Sequence, residues 1–245
     1  MAIETGKAVG ELVRERLGRA RVFERLGIDY CCHGRDPLAR ACGAKGLDVA
    51  AVVAELERSD AAESAEDTTD YNAMAPGTLA DHIEASHHAY LRRELPRLDG
   101  LLGKVVAAHG AKHPEVHDLR RVFNALSEEL DSHLLKEERI LFPLIKQLEA
   151  ASSAPRFHCG SVNNPIRVME HEHDSAGAAL ERIRALTDGY RAPSDACATF
   201  QALVQGLADL EADLHRHIHK ENNILFPRAA AMEAALQAGT PVLAG

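Results

Sequence analysis

The sequence predicts an all-α protein, in which a small helical domain precedes an up-down-up-down four-helix bundle. Only 4% of the residues are aromatic, there is no Trp, and Ala and Leu are abundant, which favours helices over sheets. Four long segments carry apolar residues at helical spacing, with Gly or Pro in or beside the breaks. The 245 residues exceed a usual single domain of about 100 to 200, so one large or two unequal domains are expected.

The first 57 residues are predicted to form the small domain. Short amphipathic segments, punctuated by glycines, run over 6–17, 19–26, 37–44 and 48–57. The stretch ERSDAAESAEDTTD at 57–70 is acidic and has no large apolar residue, which is typical of a solvated linker. We therefore expect a helical domain at 1–57, a linker at 58–74 and the bundle at 75–236.

The bundle helices are predicted at about 77–109, 115–150, 162–189 and 195–236, with short connections that make neighbours antiparallel. The second helix carries inward positions at alternating steps of three and four. These positions are Phe123, Leu126, Leu130, His133, Glu137, Ile140 and Leu144. The fourth helix repeats the pattern through Leu203, Leu207, Leu210, Leu214, His217, Glu221 and Ile224. Each of the two seams therefore holds one His and one Glu.

The two His–Glu pairs belong to a repeated motif, HLLKEERILFP at 133–143 and HIHKENNILFP at 217–227. Residues four apart share one face of a helix, so the imidazole and the carboxylate converge. An ionised carboxylate left alone in an apolar core costs on the order of several kcal/mol, so these buried side chains need mutual partners or a metal ion. Two opposed faces of this kind predict two metal ions, and imidazoles with few carboxylates suit iron better than manganese.

The first and third helices are expected to supply further ligands. In MEHEHDSAGAALERI the inward position is His173 rather than His171. In IEASHHAYLRRELPRL, His87 and His88 compete, and the matching offset from Leu95 favours His88. The alternative is that these histidines only make satisfied hydrogen bonds. The other histidines are interpreted as mostly solvated: His82, His87, His109, His113, His117, His158, His171, His215 and His219.

Charge and segment composition limit the partners. A formal net charge of −9 offers no basic surface for nucleic acid or an anionic membrane. No leader-like or membrane-spanning apolar run is visible, so a soluble cytoplasmic protein is expected. Five scattered cysteines fit a reducing compartment better than a disulfide scaffold.

With these motifs in place, the chain resembles a known family. H-x3-E followed by ILFP, twice, is similar to the hemerythrin-like cation-binding bundle, and DYCCHGRDPLARAC at 29–42 extends the resemblance to the Repair of Iron Centres family. The resemblance implies two non-haem irons bridged by carboxylates, with an oxo bridge as a further option. It places the ligands on His88, His133, Glu137, His173, His217 and Glu221.

The resemblance also implies a function. Members repair iron-sulfur clusters damaged by nitrosative or oxidative stress, so damaged iron-sulfur proteins are the expected partners and nitric oxide or oxygen the small ligands. The sequence leaves the oligomeric state open, with a homodimer as one option. Repair by iron donation is the first hypothesis. An enzyme that binds or reduces nitric oxide at the di-iron centre is the second, and a sensor without a visible output domain is the third.

The vicinal thiols Cys31 and Cys32 are the candidate redox or transfer residues. The family's usual Cys-Cys-Gly-Gly reads Cys-Cys-His-Gly here, with His33 in place of a glycine. A helix beginning near Pro37 is expected to leave a thiol exposed with a lowered pKa. The alternative is that both cysteines are small core residues.

Overall fold

The computed structural model describes residues 3–61 and 69–239. The regular secondary structure of these residues is helical, with turns and loops between the helices. Within those ranges, β-type pairing is confined to an isolated bridge between Ala8 and Pro37. The predicted all-α class is confirmed. Of the linker predicted at 58–74, residues 62–68 lie outside the described residues.

The helices follow one another along the chain with short connections. They are α1 (Val9–Glu15), α2 (Ala20–Leu26), α3 (Leu38–Ala44), α4 (Val49–Ala61), α5 (Pro76–Ile83), α6 (Ala89–His109), α7 (Glu115–Lys136), α8 (Phe142–Ala150), α9 (Asn163–Leu186), α10 (Ala198–Lys220) and α11 (Phe226–Gln237). Three π-helical turns join consecutive helices, at Glu84–His88, Glu137–Leu141 and Glu221–Leu225. None of the described helices combines the length and the apolar character needed to cross a membrane.

Packing divides the chain into two compact units, each assembled from separate stretches of sequence. Unit 1 comprises Met1–Leu79, Leu148–Pro155 and His215–Gly245. Unit 2 comprises Ala80–Gln147 and Arg156–Leu214. Helix α10 therefore contributes its last turns to unit 1 and the remainder to unit 2.

In unit 1, helices α1 to α4 surround an apolar core in which Phe23 is fully buried. Ile218, from the end of α10, belongs to the same core. Helix α4 continues to Ala61, beyond the expected domain end at 57. Near that end, the carboxylate of Asp60 accepts hydrogen bonds of 2.9 and 2.7 Å from the buried Arg19. This ion pair ties the end of α4 to the turn that precedes α2.

In unit 2, helices α6, α7, α9 and α10 bury their apolar seams in one shared core. Burying each Leu or Phe side chain contributes about 1.5 to 3 kcal/mol, which offsets the cost of polar groups in the same seam. The third bundle helix follows the expected register throughout. Its buried residues are Ile166, Met169, His173, Ala176, Leu180 and Ile183.

The second bundle helix departs from the expected register after Glu137. Ile140 is 50% exposed and Leu144 is only partly buried, whereas Leu141 and Ile145 are buried at 1% and 0%. The π-turn at Glu137–Leu141 accounts for the difference, because it adds one residue to a helical turn and moves the inward face one position along the chain. The prediction of Ile140 and Leu144 as core residues was wrong.

Candidate metal centre

Five of the six predicted ligands lie in π-turns or in the helical turn just before one, a feature frequent at functional sites, whereas His173 lies within the uninterrupted helix α9. One π-turn ends at His88, and the other two begin at Glu137 and Glu221. His133 and His217 lie in the last turn of the α-helix that precedes each glutamate. The repeated sequence motif therefore produces a repeated local structure.

His88 and Glu137 meet in the interior of unit 2. Both side chains are 0% exposed, and Nε2 of His88 lies 3.3 Å from Oε2 of Glu137. The other ring nitrogen, Nδ1, bonds Oε1 of Glu138 at 2.7 Å. Arg92 donates to both oxygens of Glu138, each at 2.6 Å. Arg92 therefore fixes the carboxylate that orients His88.

A second group of donors in unit 2 contains His133, His173 and Glu137. The Nε2 atoms of His133 and His173 are 3.2 Å apart, and Nε2 of His133 lies 3.3 Å from Oε2 of Glu137. Donor atoms of these three residues all lie within 4.8 Å of one another. On the outer side, Nδ1 of His133 bonds Oε2 of Glu172 at 2.9 Å, and Lys136 pairs with the same carboxylate.

The carboxylates of Glu138 and Glu172 select the tautomer of the histidines they support. Burial alone would raise the pKa of each, but hydrogen bonds from Arg92 or Lys136 and from the imidazole outweigh it and hold each pKa below its usual value. An ionised carboxylate only accepts hydrogen bonds, so Nδ1 carries the ring proton. Nε2 is then left with a lone pair that faces the interior, the form in which imidazole binds metals.

In unit 1, His217 and Glu221 repeat the arrangement. Their side chains are 1% and 0% exposed, and Nε2 of His217 lies 3.1 Å from Oε1 of Glu221. The six predicted ligands are thus all buried. Four of them come together in unit 2, and the other two come together in unit 1.

The donor groups fit a metal ion within each unit. Metal bonds of about 2.0 to 2.2 Å to nitrogen and carboxylate oxygen place neighbouring ligand atoms about 3.0 to 3.5 Å apart. The measured separations of 3.1 to 3.3 Å fall in that range. Buried imidazole and carboxylate donors of this kind can hold iron, and iron bound there would supply redox and Lewis-acid chemistry.

Two histidines that were expected to be solvated are buried instead. His87 is 5% exposed and its Nδ1 lies 3.0 Å from Oδ1 of Asp213 in unit 2. The π-turn at Glu84–His88 widens the helix, so both adjacent histidines point inward. His219 is 1% exposed and packs in unit 1 against Tyr30, with 5.5 Å between ring centroids. Burial lowers the pKa of His219 to about 4, so its ring is neutral at pH 7.

The vicinal cysteines lie side by side in unit 1, and neither is in a disulfide. Their Sγ atoms are 3.8 Å apart, and Sγ of Cys31 lies 3.2 Å from Oδ1 of Asp29. Cys31 is 3% exposed, and its pKa is raised well above the ordinary thiol value by the hydrogen bond with Cys32 and by burial. For Cys31, the expectation of an exposed thiol with a lowered pKa was therefore wrong. The hydrogen bond with Cys32, the burial and the carboxylate of Asp29 all raise the pKa of Cys31 and outweigh the short helix α3.

Sequence reasoning missed three supporting residues. Glu138 adjoins Glu137 and Glu172 adjoins His173, so an acidic residue next to a predicted ligand was the available signal. Asn223 lies in the third π-turn, and its Nδ2 donates to the carbonyl oxygens of Cys31 at 3.3 Å and Tyr30 at 3.5 Å. Nothing in the spacing of Asn223 indicates that contact, because its partners are distant in sequence.

Comparisons with known proteins cover nearly the whole chain. A family profile described as the Hemerythrin HHE cation binding domain matches residues 79–229. A second profile, ScdA_N, described as a domain of unknown function (DUF542), matches residues 5–60.

Full-length relatives share the same name. The iron-sulfur cluster repair protein YtfE of Enterobacter sp. (strain 638) is 41% identical over 225 residues, which is 92% of this chain and 97% of the relative. The protein of that name from Pectobacterium atrosepticum is 38% identical over 223 residues, covering 91% and 96%. The one from Escherichia coli O157:H7 is 39% identical over 227 residues, covering 92% and 97%.

Proposed function

We infer that this chain, which belongs to the family of hemerythrin-like iron-sulfur cluster repair proteins, repairs damaged iron-sulfur clusters. The observation that carries the inference is the burial of four histidines and two glutamates, of which His88, His133, His173 and Glu137 come together in unit 2 and His217 and Glu221 come together in unit 1. An apolar helical core gains nothing from six such side chains unless they bind a cation. The names of the relatives indicate that the bound cation takes part in the repair of iron-sulfur clusters.

We assign the six buried residues to a di-iron centre. In this assignment Glu137 and Glu221 bridge the two irons. One iron takes His88 and His217, and the other takes His133 and His173. The internal sequence repeat supports the assignment, because it gives each iron one histidine from a repeated His–Glu motif.

Iron donation is the form of repair that the donor set favours. Imidazoles are neutral, so the two carboxylates balance only half of the four positive charges of two ferrous ions. A centre with this residual charge binds iron less tightly than a carboxylate-rich one and suits release. In this proposal iron is the cargo, iron-sulfur proteins damaged by nitric oxide or peroxide are the acceptors, and the cytoplasm is the compartment, since no cysteine forms a disulfide.

The test measures iron content and repair together. Protein loaded anaerobically should contain two irons and should restore activity to an enzyme whose cluster was destroyed with nitric oxide. Glu221→Ala removes a buried donor and should lose iron and repair together. His171→Ala is the matched control, because this exposed imidazole lies two residues from His173. An iron content of zero or one in the parent protein would contradict the di-iron assignment.

Reduction of nitric oxide is the alternative outcome of the same test. Under a chemical reductant, an enzyme of that kind would release nitrous oxide over many turnovers while keeping its iron. Iron delivery to the damaged acceptor, with at most stoichiometric nitrous oxide, supports donation. Catalytic nitrous oxide without iron delivery would replace donation by reduction.

A further inference from the structure

A second group of metal-binding side chains lies in unit 1, in the loop after α2. Oδ1 of Asp29 and the Sγ atoms of Cys31 and Cys32 all lie within 4.8 Å of one another. Cys31 is buried at 3% exposure, Cys32 is partly exposed, and the side chain of Asp29 is 33% exposed. One side of the group is thus closed by protein and the other is open to solvent.

The sulfur positions match those of two thiolates on one tetrahedral ion. With metal–sulfur bonds of about 2.3 Å, a tetrahedron holds its two sulfurs about 3.8 Å apart. The Sγ atoms of Cys31 and Cys32 are 3.8 Å apart. The same tetrahedron, with a metal–oxygen bond of about 2.0 Å, sets sulfur and oxygen about 3.5 Å apart. Sγ of Cys31 and Oδ1 of Asp29 are 3.2 Å apart, so an ion needs only a small adjustment.

The loop is held in this shape by bonds that do not use the thiols. Oδ1 of Asp29 accepts from the backbone N–H groups of Cys31 at 2.9 Å and Cys32 at 3.0 Å. The N–H of Gly10 on α1 donates to the carbonyl of Gly34 at 2.8 Å. A preorganised loop loses little conformational entropy when a ligand binds.

The loop is also fastened to the π-turn that begins at Glu221. Asn223, two residues after Glu221, donates to the carbonyl of Cys31 at 3.3 Å. A Cβ built on Gly10 or Gly34 would lie 2.6 or 2.7 Å from Oδ1 of Asn223, so both glycines are needed for this close approach. The thiol loop and a proposed iron ligand are therefore joined through one side chain within unit 1.

We propose that Asp29, Cys31 and Cys32 form a second metal site, which holds one ferrous ion in transit between the di-iron centre and the damaged cluster. The proposal rests on the proposed function for the direction of transfer. Thiolates favour the iron of iron-sulfur clusters and zinc over hard cations. Binding exchanges two thiol protons for one divalent ion and releases both protons to solvent, with no change in oxidation state. Three protein ligands leave the fourth position for water or an acceptor thiolate.

His33 is the positioning residue of this site. Its Nδ1 lies 2.7 Å from Oδ2 of Asp29, while its side chain is 72% exposed. The bond holds Oδ2 on the outer side, so Oδ1 faces Sγ of Cys31 as well as the backbone N–H groups of Cys31 and Cys32. The histidine that stands in place of the family's usual glycine thus acquires a role. Removing such a supporting partner lowers metal affinity by about 10- to 100-fold.

The test titrates the full-length, iron-loaded protein with Co²⁺ under anaerobic, reducing conditions. One equivalent should bind and give the near-ultraviolet charge-transfer band of cobalt–thiolate bonds. Cys31→Ser and Cys32→Ser should each weaken the band, and the double variant should abolish it. Asp29→Asn keeps an oxygen acceptor for the backbone N–H groups of Cys31 and Cys32 and keeps both thiols, and it loses only the 3.3 Å bond from the His33 N–H to Oδ2. It therefore removes the carboxylate charge with little change to the loop. It should weaken binding, and His33→Ala should weaken it by about 10- to 100-fold.

Cys197→Ser is the matched control, since Cys197 is an exposed thiol with its own imidazole partner, His109, at 3.2 Å. Loss of the band in Cys197→Ser, its persistence in the double variant, or the absence of any cobalt–thiolate band would overturn the proposal. Because the titration needs no repair activity, the two proposals fail separately. A cobalt site without iron delivery rejects donation alone, and delivery without a cobalt site rejects the transit site alone.

Discussion

Replacing Glu172 by Gln should weaken metal binding in one half of the proposed di-iron centre. In the parent protein Oε2 of Glu172 accepts the Nδ1 proton of His133 at 2.9 Å, and Lys136 pairs with the same carboxylate. Gln has nearly the same shape but no charge, so His133 loses a charge-assisted bond and its ring is less firmly held. Loss of such a carboxylate typically costs 10- to 100-fold in metal affinity, or about 1.4 to 2.7 kcal/mol. The side chain is 27% exposed, so no core cavity adds to this cost.

The assay is competition with a ferrous chelator, followed over time. We expect the iron assigned to His133 and His173 to leave the Glu172→Gln protein about 10- to 100-fold sooner, while the other iron leaves at the parental rate. Glu138→Gln is the mirror experiment, because Glu138 supports His88. His171→Ala serves as control. Release of both irons from Glu172→Gln at the parental rates, or equal acceleration of both irons, would show that the outer carboxylates do not each support one iron.

Three further predictions concern unit 1 and the thiols. The double variant Cys31→Ser, Cys32→Ser should keep two irons by metal analysis yet fail to repair a damaged cluster; loss of iron would make the thiols ligands of the di-iron centre. Gly34→Ala should lower the free energy of unfolding, measured with denaturant, because its Cβ would lie 2.6 Å from the carbonyl oxygen of Tyr30. Gly43→Ala, which meets nothing within 4 Å in helix α3, should not lower it. Among the cysteines, Cys197 should be alkylated before Cys31 near neutral pH by peptide mass analysis, since a backbone bond from Phe200 and a hydrogen bond with His109 lower the pKa of Cys197 to about 7. The thiolate fraction of Cys197 rises as the pH passes through about 7, whereas Cys31 stays protonated. Equal alkylation rates for Cys197 and Cys31 would contradict this difference in pKa.

The sequence was sufficient to predict the helices of the bundle and the inward direction of its six polar residues. Both follow from helical periodicity, and α9 keeps that periodicity without interruption. The π-turns could not be predicted in this way, because the period of an ideal helix has no place for an extra residue. The misplaced core position Ile140 is the direct result.

The surroundings of the thiols and of His219 could not be predicted from the sequence, for a different reason. Tyr30, Asn223 and His219 meet through contacts between residues far apart in the chain, which local spacing does not encode. The pKa of Cys31 likewise depends on its hydrogen bond with Cys32, on its burial and on Asp29, rather than on the nearby start of α3. The short helix suggested a lowered pKa, but burial prevailed.

Donation of iron from the buried centre is tested most directly by following the metal itself. The protein is loaded with isotopically enriched iron and mixed with an unlabelled enzyme whose cluster nitric oxide has damaged. If iron is donated, the repaired cluster will contain the enriched isotope in proportion to the iron lost from this protein. Repair that proceeds at the parental rate with only unlabelled iron in the cluster would contradict donation.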